Sequence, residues 1–318
     1  MIVIDKDAVY RQLSMSRCIE LMKEALSGLD SGVNSQNVRT GMGLPKGGLA
    51  FMPCYLGGRG TFGAKIISVY PGNSQAGYPS HQGYVLLFEA EHGTPVAAVD
   101  ACAITEIRTA AASAAATDLL ARKDCSRLAM MGSGAQAVSH LEGMLAVRPI
   151  RAVSIWSYHR EHADRYAAAM REKYPQLAFS VYDSPDEAVR NADIICTVCR
   201  SRDPYLFADM IRPGTHINAV GTCSPVSREI ASDLMAASRL YVDQAEACKA
   251  ESGEYLIPLE EGLISEDHIV GNIGAVINGA VPGRRDDIEI TLFDSLGLAI
   301  EDVICADELY KRSLEQEI

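Results

Sequence analysis

The sequence predicts an α/β protein in which a doubly wound parallel Rossmann sheet is joined to a second, α+β domain. Its 318 residues favour two domains, because a domain averages ~150 residues. From Ser126 onwards, short apolar runs alternate with stretches of helical pattern, which is typical of a parallel sheet. The first hundred residues show strand and hairpin signals with one helix.

The N-terminal elements follow from spacing and turn residues. Apolar residues recur at helical intervals from Ser14, and Gly28 is expected to end that helix. The strand signals are apolar runs bounded by glycine and proline, at 63–69, 83–88 and 94–99. An alanine-rich segment over 105–122 then predicts a long helix leading into the second domain.

The second domain is predicted by regular alternation. Strands are expected at 128–131, 152–156, 178–181, 193–198, 216–220 and 240–242, with helices ending near 147 and spanning 161–173 and 185–191. A last helix, from Ser295 to about Ser313, is assigned to the first domain. The expected boundaries therefore give a Rossmann domain over 114–295 and a second domain from 1–113 and 296–318.

Charge and cysteine content limit the class of protein. Lys and Arg number 29 against 41 Asp and Glu, a formal net charge of −12, so nucleic acid and anionic membranes are poor partners. Nine cysteines without framework spacing indicate reduced thiols and a cytoplasmic protein. The single CxxC, Cys196 to Cys199, lacks the second pair that a zinc site needs, so strand-end packing and no metal are expected. Early charges argue against a signal peptide, and no apolar run reaches the ~18 residues of a membrane span.

The strongest local motif is a glycine-rich turn after the first strand of the Rossmann domain. Gly132, Ser133, Gly134, Ala135 and Gln136 are followed by Ala137, which fits the pattern G-x-G-x-x-A between a strand and a helix. Gly132 suits the tight turn, Gly134 lets the backbone approach a pyrophosphate, and the helix N-terminus favours phosphate. The motif predicts that the domain binds a nicotinamide dinucleotide.

The end of the second Rossmann strand bears on the choice between NAD and NADP. An acidic residue there accepts a hydrogen bond from the ribose 2′-hydroxyl. This chain has Ser157, Tyr158, His159 and Arg160, with no carboxylate among them. Arg160 is suited to a 2′-phosphate, which favours NADP weakly, or it is a solvated residue at a helix start.

Three long cations stand among small or apolar residues of the first domain. They are Arg39, Lys65 and Arg108. Because a buried unpaired charge is costly, each is a candidate for binding an anion, or else extends its charged end to solvent.

Several of these stretches also resemble one known family. They are Met52-Pro53, Gly63-Ala-Lys65, Pro79-Ser-His-Gln82, 104–113, 132–137, 217–221 and 295–302. Together they cover both domains, and the whole chain resembles the ornithine cyclodeaminase/mu-crystallin family, more closely its mu-crystallin-type members than its true cyclodeaminases. The resemblance implies a homodimer whose N-terminal domain binds substrate and forms the interface, with NAD(P) in a Rossmann domain.

The resemblance also implies site residues. Arg39, Lys65 and Arg108 match the cations that bind a substrate carboxylate, and Lys65 and Arg108 are the expected catalytic residues. Thr197, Val220 and Leu296 match positions that line the cofactor. Ser80 and His81 are expected near the substrate, or else His81 caps local backbone.

Two departures from the family bear on the reaction. Cyclodeaminases carry a glutamate two residues before Met-Pro, where this chain has Ala50, and an aspartate after the Asn-Ala-Val-Gly strand, where it has Cys223. Without these carboxylates the groups suited to activating an amine are missing. Cys223 therefore remains only as a candidate substrate contact.

The resemblance and these departures favour an NAD(P)H-dependent reductase that converts an α-imino acid into an L-amino acid. The substrate is either cyclic, such as Δ1-pyrroline-2-carboxylate, or linear, such as iminosuccinate. The alternatives are a cyclodeaminase that uses NAD catalytically, and a mu-crystallin-like NADP(H)-binding protein with little turnover.

Overall fold

The computed structural model describes residues 1–316. They divide into two compact units. Unit 1 contains Met1–Ala111 and the described part of Gly297–Ile318, and unit 2 contains Ala112–Leu296. The boundaries expected from the sequence lie two residues and one residue from these two junctions.

The strands of unit 1 are β1 (Ile2–Ile4), β2 (Asn34–Gln36), β3 (Thr40–Leu44), β4 (Gly47–Leu56), β5 (Thr61–Val69), β6 (His81–Glu89) and β7 (Pro95–Asp100). Its first helices are α1 (Lys6–Gln12) and α2 (Met15–Asp30). The next helix, α3 (Ala101–Leu120), begins in unit 1 and ends in unit 2.

The strands of unit 2 are β8 (Arg127–Met131), β9 (Ala152–Trp156), β10 (Ala178–Val181), β11 (Ile194–Thr197), β12 (His216–Ala219), β13 (Ser238–Val242), β14 (Ile269–Asn272) and β15 (Ile290–Asp294). Its helices are α4 (Ala135–Val147), α5 (Arg160–Lys173), α6 (Pro185–Val189), α7 (Ser232–Ala237), α8 (Ala245–Glu251), α9 (Gly253–Glu260) and α10 (Ile273–Ile277). The chain then enters α11 (Ala299–Gln316), which belongs to unit 1.

Unit 1 is a seven-stranded sheet in the order β1-β7-β6-β5-β4-β2, with β3 paired to β4. All pairs are antiparallel except β1 with β7. Helix α11 packs across β4 to β7 on one face, and α2 packs on α11. Alternate side chains of β4 to β6 point to the opposite face, where Phe51 and Tyr84 are exposed.

Two predictions for unit 1 are wrong. The first hundred residues contain two α-helices, because Asp5 caps α1 by accepting from the N–H of Ala8 at 2.8 Å. Gly28 does not end α2, which continues to Asp30. A Cβ at Gly28 would lie 2.2 Å from the side chain of Asn34, so this glycine serves close packing. Gly32, with φ of +77°, is the residue that turns the chain.

Unit 2 confirms the predicted doubly wound fold. Its eight strands are all parallel, in the order β10-β9-β8-β11-β12-β15-β13-β14. The strand order reverses beside β8, which puts a crevice at the carboxyl ends of β8 and β11. Dinucleotides bind at this position in Rossmann folds.

One strand near the C-terminal end of unit 2 was not predicted. Strand β15 inserts between β12 and β13, at residues 290–294, where no element was expected. The last helix begins at Ala299 and not at Ser295, because Gly297 adopts a φ of +80° that a helix cannot contain.

The cysteines of the chain are all free thiols, including Cys18 and Cys305, whose sulfur atoms lie 3.7 Å apart. In the CxxC pair, burial raises the pKa of Cys196 and of Cys199 to about 12, so both are protonated. Within residues 1–316, no helix combines the length and the apolar character that crossing a membrane requires.

Candidate functional site

Lys65 and Arg108 meet in unit 1 at a shared carboxylate. Lys65 lies on β5, and its Nζ donates to Asp302 Oδ1 at 3.1 Å and to Thr105 Oγ1 at 2.7 Å. Arg108 lies on α3 and donates through Nε to the same Asp302 oxygen at 3.1 Å. Its Nη1 donates to Glu301 Oε2 at 2.6 Å. The acidic pair Glu301 and Asp302 in the first turn of α11 thus holds both cations.

Arg39 reaches the same cluster through the turn before α11. Its Nη2 donates to the carbonyl oxygen of Gly297 at 3.2 Å. A Cβ on Gly297 would lie 2.7 Å from Arg108 Nη1, so the glycine lets this guanidinium pack against the turn. Three cations from β5, α3 and the segment before β3 therefore gather around one end of α11.

Burial sets the electrostatics of this cluster. Lys65 and Arg108 are each 4% exposed, and Glu301 and Asp302 are fully buried. Burial lowers the pKa of Lys65 and outweighs the opposing effect of Asp302, with Arg108 and Arg39 lowering it further. The pKa of Arg108 is raised by its two carboxylate partners against the effect of burial. Lys65 is thus the member of the cluster whose proton is most easily removed.

Among the other residues assigned to the substrate side, His81 begins β6 of the same sheet and Ser80 directly precedes it. In the strand register Lys65 is opposite Val85, and Val69 is opposite His81. Because alternate residues share a face, His81 is on the face of Lys65, four positions further along. His81 is exposed, and its Nδ1 lies 2.9 Å from Ser80 Oγ.

Ala50 lies on the same face of the sheet as Lys65. Met52 is opposite Lys65 in the register, and Ala50 is two positions before Met52. A glutamate at residue 50 would therefore have added a carboxylate to the face that carries Lys65. This chain has only a methyl group there.

The glycine-rich turn of unit 2 has the geometry that a bound pyrophosphate requires. Gly132 has a φ of +134°, and a Cβ there would lie 2.8 Å from Val198, so only glycine fits. Gly134 is the N-cap of α4 and offers no side chain to cap the helix, which leaves its first N–H groups for a ligand. A Cβ on Gly134 would meet nothing within 4 Å. The residues present therefore fit a dinucleotide phosphate group.

The end of β9 lies beside this turn. Ser133 Oγ donates to Ser157 Oγ at 3.2 Å, which puts Ser157 where Rossmann folds hold the ribose hydroxyls. Arg160 is held elsewhere: it pairs with Asp183 and, at 3.2 Å, with Asp164. The guanidinium of Arg160 thus pairs with two exposed carboxylates in this structure, and its expected contact with a 2′-phosphate stays a prediction.

The neighbouring residues of this segment and turn have the following surroundings. Tyr158 is 54% exposed, and its hydroxyl lies 2.7 Å from Ser201 Oγ. His159 is the N-cap residue of α5, and its ring centroid lies 5.1 Å from that of His162, with the two rings tilted by 58°. Ala135 and Gln136 open α4.

The other residues expected to line the cofactor also lie at the carboxyl ends of strands in unit 2. Thr197 ends β11, and Val220 follows β12 and donates its N–H to the carbonyl of Thr197 at 3.1 Å. Leu296 follows β15 and donates its N–H to Asp243 at 2.7 Å. Cys223 is exposed in the loop after β12.

Sequence reasoning missed the acidic partners of the site. Glu301 and Asp302 lie within a stretch that carried the family resemblance, yet no role was assigned to them. Their signal was available: two adjacent acids in the first turn of the helix, between the apolar runs 298–300 and 303–306. Across residues 1–316, no three His, Cys, Asp or Glu side chains lie close enough to hold a metal ion.

Comparison with known proteins identifies the relatives of this chain. The model of the ornithine cyclodeaminase/mu-crystallin family matches residues 2–317. A Δ1-pyrroline-2-carboxylate reductase of Bacillus cereus is 38% identical over 268 residues, 84% of this chain and 82% of that protein. The ketimine reductase mu-crystallin of Mus musculus is 37% identical over 302 residues, 93% of this chain and 92% of that protein.

Two solved structures extend the comparison to the fold. The Δ1-pyrroline-2-carboxylate reductase of Thermococcus litoralis, in complex with NADH and L-proline, has a TM-score of 0.96 at 34% identity and covers 100% of this chain and 99% of its own. An archaeal alanine dehydrogenase dimer with bound NAD has a TM-score of 0.94 at 31% identity, with 99% of this chain and 97% of its own covered.

Proposed function

This chain belongs to the ornithine cyclodeaminase/mu-crystallin family, and from that premise we propose that it is an NAD(P)H-dependent reductase of an α-imino acid. We propose a cyclic imine, of the Δ1-pyrroline-2-carboxylate kind, as the substrate. Similarity to pyrroline-2-carboxylate and ketimine reductases supports the reaction, and the cluster in unit 1 supports the recognition of a carboxylate.

The charge balance of that cluster carries the proposal. Three cations, Arg39, Lys65 and Arg108, stand against two carboxylates, Glu301 and Asp302. A substrate carboxylate would add a third anion to this group of three cations. Guanidinium groups bind carboxylates through paired hydrogen bonds, so the arginines also fix the orientation of the substrate.

Lys65 is the group suited to give a proton to the imine nitrogen. In the reaction, a reduced nicotinamide supplies a hydride to the imine carbon. The electron pair of the C=N π bond then takes a proton on nitrogen, and the product is the amino acid. The buried ammonium of Lys65, with its lowered pKa, is a better acid than an exposed lysine and regains its proton from solvent.

Ammonia elimination fits this chain poorly. Ala50 and Cys223 occupy the positions at which the cyclodeaminases of the resemblance carry carboxylates. Ala50 leaves the Lys65 face of the sheet without a base at that point. A binding protein with little turnover is equally disfavoured, because Lys65 is kept buried at an energetic cost that simple binding does not require.

For the cofactor, we propose that NADPH is accepted as well as NADH. Ser157 puts no carboxylate against a 2′-phosphate. A cavity of about 520 Å³ beside the glycine-rich turn is lined by Ser133, His162 and Arg165, and Arg165 supplies a positive charge there without Arg160. Arg165→Ala is expected to weaken the binding of NADPH more than that of NADH.

We also propose a homodimer formed through the open face of the unit 1 sheet. Phe51, Tyr55 and Tyr84 are 44%, 43% and 49% exposed on the face opposite α11. A second copy of the chain would bury this apolar surface. Nine free thiols support placement in a reducing compartment, the cytoplasm.

One screen tests the proposed function. The purified protein is mixed with NADH or NADPH and with Δ1-pyrroline-2-carboxylate, Δ1-piperideine-2-carboxylate, iminosuccinate, or pyruvate with ammonia. We expect the fastest oxidation of NAD(P)H with a cyclic imine. In a separate incubation with ornithine and NAD⁺, release of ammonia without net formation of NADH would support the cyclodeaminase alternative. Inactivity on every imine would reject the reductase.

A further inference from the structure

Glu229 is a buried carboxylate in unit 2 that the proposed reaction does not use. It lies between β12 and α7 and is fully buried. Among residues 1–316, no Lys, Arg or His lies within ion-pair distance of it. Its partners are instead polar hydrogens: Oε1 accepts from the N–H of Cys199 at 2.9 Å and from Tyr205 Oη at 2.8 Å, and Oε2 accepts from the N–H of Gly221 at 2.8 Å.

Those two backbone groups lie just beyond neighbouring strands. Cys199 follows β11 by two residues, and Gly221 follows β12 by two. The ladder between β11 and β12 makes its last bond from Val220 to Thr197. Beyond that point, the carboxylate of Glu229 joins the segment after β11 to the segment after β12 by accepting a hydrogen bond from each. These carboxyl ends belong to the edge of the sheet at which Rossmann folds hold their ligand.

The backbones approach each other too closely for any residue but glycine. A Cβ on Gly221 would lie 1.9 Å from the carbonyl oxygen of Cys199 and 2.4 Å from the carboxylate of Glu229. The carboxylate is therefore enclosed by the two segments and has little freedom to move.

Two further residues extend this arrangement. The ring centroid of Tyr205 lies 4.9 Å from that of Trp156 and 6.0 Å from that of Tyr158. Tyr205 therefore connects Glu229 to the aromatic residues at the end of β9. From behind, the buried carboxyl of Glu254 accepts from the N–H of Glu229 at 2.6 Å and from that of Ile230 at 3.0 Å. Glu254 thus fixes the backbone of the segment that carries Glu229.

Burying a carboxyl group without a cation lowers the stability of the fold, so a role for Glu229 would explain why this residue is present. Burial raises the pKa of Glu229 to about 7 and that of Glu254 well above its usual range. The hydrogen bonds from Tyr205, Gly221 and Cys199 act in the opposite direction. An acid kept in such surroundings points to a functional site.

We infer that Glu229 is a positioning residue for the dinucleotide: it fixes the backbones after β11 and β12 so that they fit the bound cofactor. The inference rests on the proposed function, because it takes a dinucleotide as the ligand of unit 2. It predicts that loss of this carboxylate weakens cofactor binding without a matching effect on the imine.

The test is a titration of NADH into the purified protein, monitored by fluorescence. Steady-state kinetics with the imine are measured on the same variants. Glu229→Gln keeps the length of the side chain but puts an NH₂ group against one of the backbone N–H donors. We expect the Kd and the KM for NADH to rise about tenfold, the effect of one lost hydrogen bond to a charged group, while the KM for the imine changes less than twofold. Glu229→Asp keeps the carboxylate on a shorter side chain, and its Kd for NADH should lie between those of the wild type and of Glu229→Gln.

One control and one substitute variant separate this role from simple destabilisation. Asp307→Asn alters a buried carboxylate in unit 1 that pairs with Arg59 and Lys311, and it should lower the Tm while leaving the Kd for NADH unchanged. If Glu229→Gln does not fold, Tyr205→Phe removes one donor to Glu229 and should still raise the Kd about threefold.

The outcomes are distinct. Wild-type affinity for NADH in folded Glu229→Gln, or in Tyr205→Phe when Glu229→Gln is insoluble, would overturn the inference and leave the proposed function standing. Failure of the wild-type protein to bind NADH or NADPH would overturn both.

Discussion

Arg108 and Asp302 are joined by a 3.1 Å hydrogen bond from Nε to Oδ1, although 194 positions separate them in the chain. The pairing brings α3 to the first turn of α11 inside unit 1. The same oxygen of Asp302 also accepts from Lys65. One carboxylate therefore sets the distance between the cation proposed to bind the substrate carboxylate and the lysine proposed to supply the proton.

Replacing Arg108 tests the binding of the carboxylate. In Arg108→Ala we expect the KM for the imine to rise at least tenfold, with a smaller change in kcat, because the guanidinium binds both substrate and transition state. The variant also leaves Glu301 and Asp302 without this cation, a loss of about 3–5 kcal/mol for a broken buried pair. Steady-state kinetics and a thermal melt measure the two effects.

The matched control for Arg108→Ala is Arg59→Ala. Arg59 also pairs with buried acid in unit 1, through Asp307 at 2.8 Å, so its loss should lower the Tm. It should leave the KM for the imine unchanged. Equal KM changes in both variants would show that Arg108 acts through stability alone.

Lys65→Met tests the proton donor. The thioether fills the same space without a charge, and we expect kcat to fall by about 10²–10⁴, the usual worth of general acid catalysis. In the wild-type protein, kcat should fall as the pH rises through the pKa of Lys65, because only the ammonium form donates. Burial lowers that pKa, so the fall should begin at a lower pH than for an exposed lysine.

The exposed Lys46, in the turn between β3 and β4, serves as the control for Lys65. Lys46→Met should keep the wild-type kcat and the same pH profile. A Lys65→Met enzyme with wild-type kcat would remove Lys65 from the chemistry.

Gly134 and Gly132 make different predictions although both belong to one turn. In this structure a Cβ at Gly134 meets nothing within 4 Å, so Gly134→Val should fold with a Tm lowered only by the poorer N-cap. Binding of NADH should nevertheless be lost, because the branched side chain would take the path of the pyrophosphate. Gly132→Val should lower the Tm as well, since its φ of +134° and its contact with Val198 exclude a side chain. Titration of NADH and thermal melts distinguish the two; tight binding by Gly134→Val would contradict the placement.

How far the sequence predicts this molecule depends on how local each signal is. The motif at Gly132 was found because turn, strand and helix are contiguous. The alternation in unit 2 likewise predicted six of its strands to within a few residues. Strand β15 was not predicted, because it is a single run of five residues. Its place in the sheet becomes evident only from its pairing with β12 and β13.

The site was predictable in its cations and not in its acids. Lys65 and Arg108 stood out because a long charged side chain contrasts with an apolar strand or an alanine-rich helix. Asp302 lies at a helix start, where acids are common for local reasons, so its role as their shared partner depends on a contact across the chain. Glu229 was missed for the same reason.

Asp294 predicts a pH dependence of stability. Burial raises its pKa to about 6, against the hydrogen bond from Ser252 at 2.6 Å. The folded state therefore holds this proton more tightly than the unfolded state does. Its contribution is complete below the unfolded pKa near 4 and is lost as the pH rises through about 6.

Urea melts at pH 5 and pH 8 measure that contribution. We expect the loss of unfolding free energy between these two values to be about 1 kcal/mol smaller in Asp294→Asn than in the wild-type protein. The exposed Asp267→Asn should keep the wild-type difference. Identical losses in Asp294→Asn and in the wild type would mean that the pKa of Asp294 is not raised in the folded protein.

Charging the open face of the unit 1 sheet tests the homodimer. Phe51 and Tyr84 flank Ile66 in the strand register and are 44% and 49% exposed. If a second copy covers this face, Tyr84→Asp buries an unpaired carboxylate at the interface and should shift the protein to a 34.3 kDa monomer. Light scattering measures the mass, and Ile288→Asp, at a 72% exposed position of unit 2, should leave it unchanged. A wild-type mass of one chain would reject the interface, as would a Tyr84→Asp variant that remains dimeric.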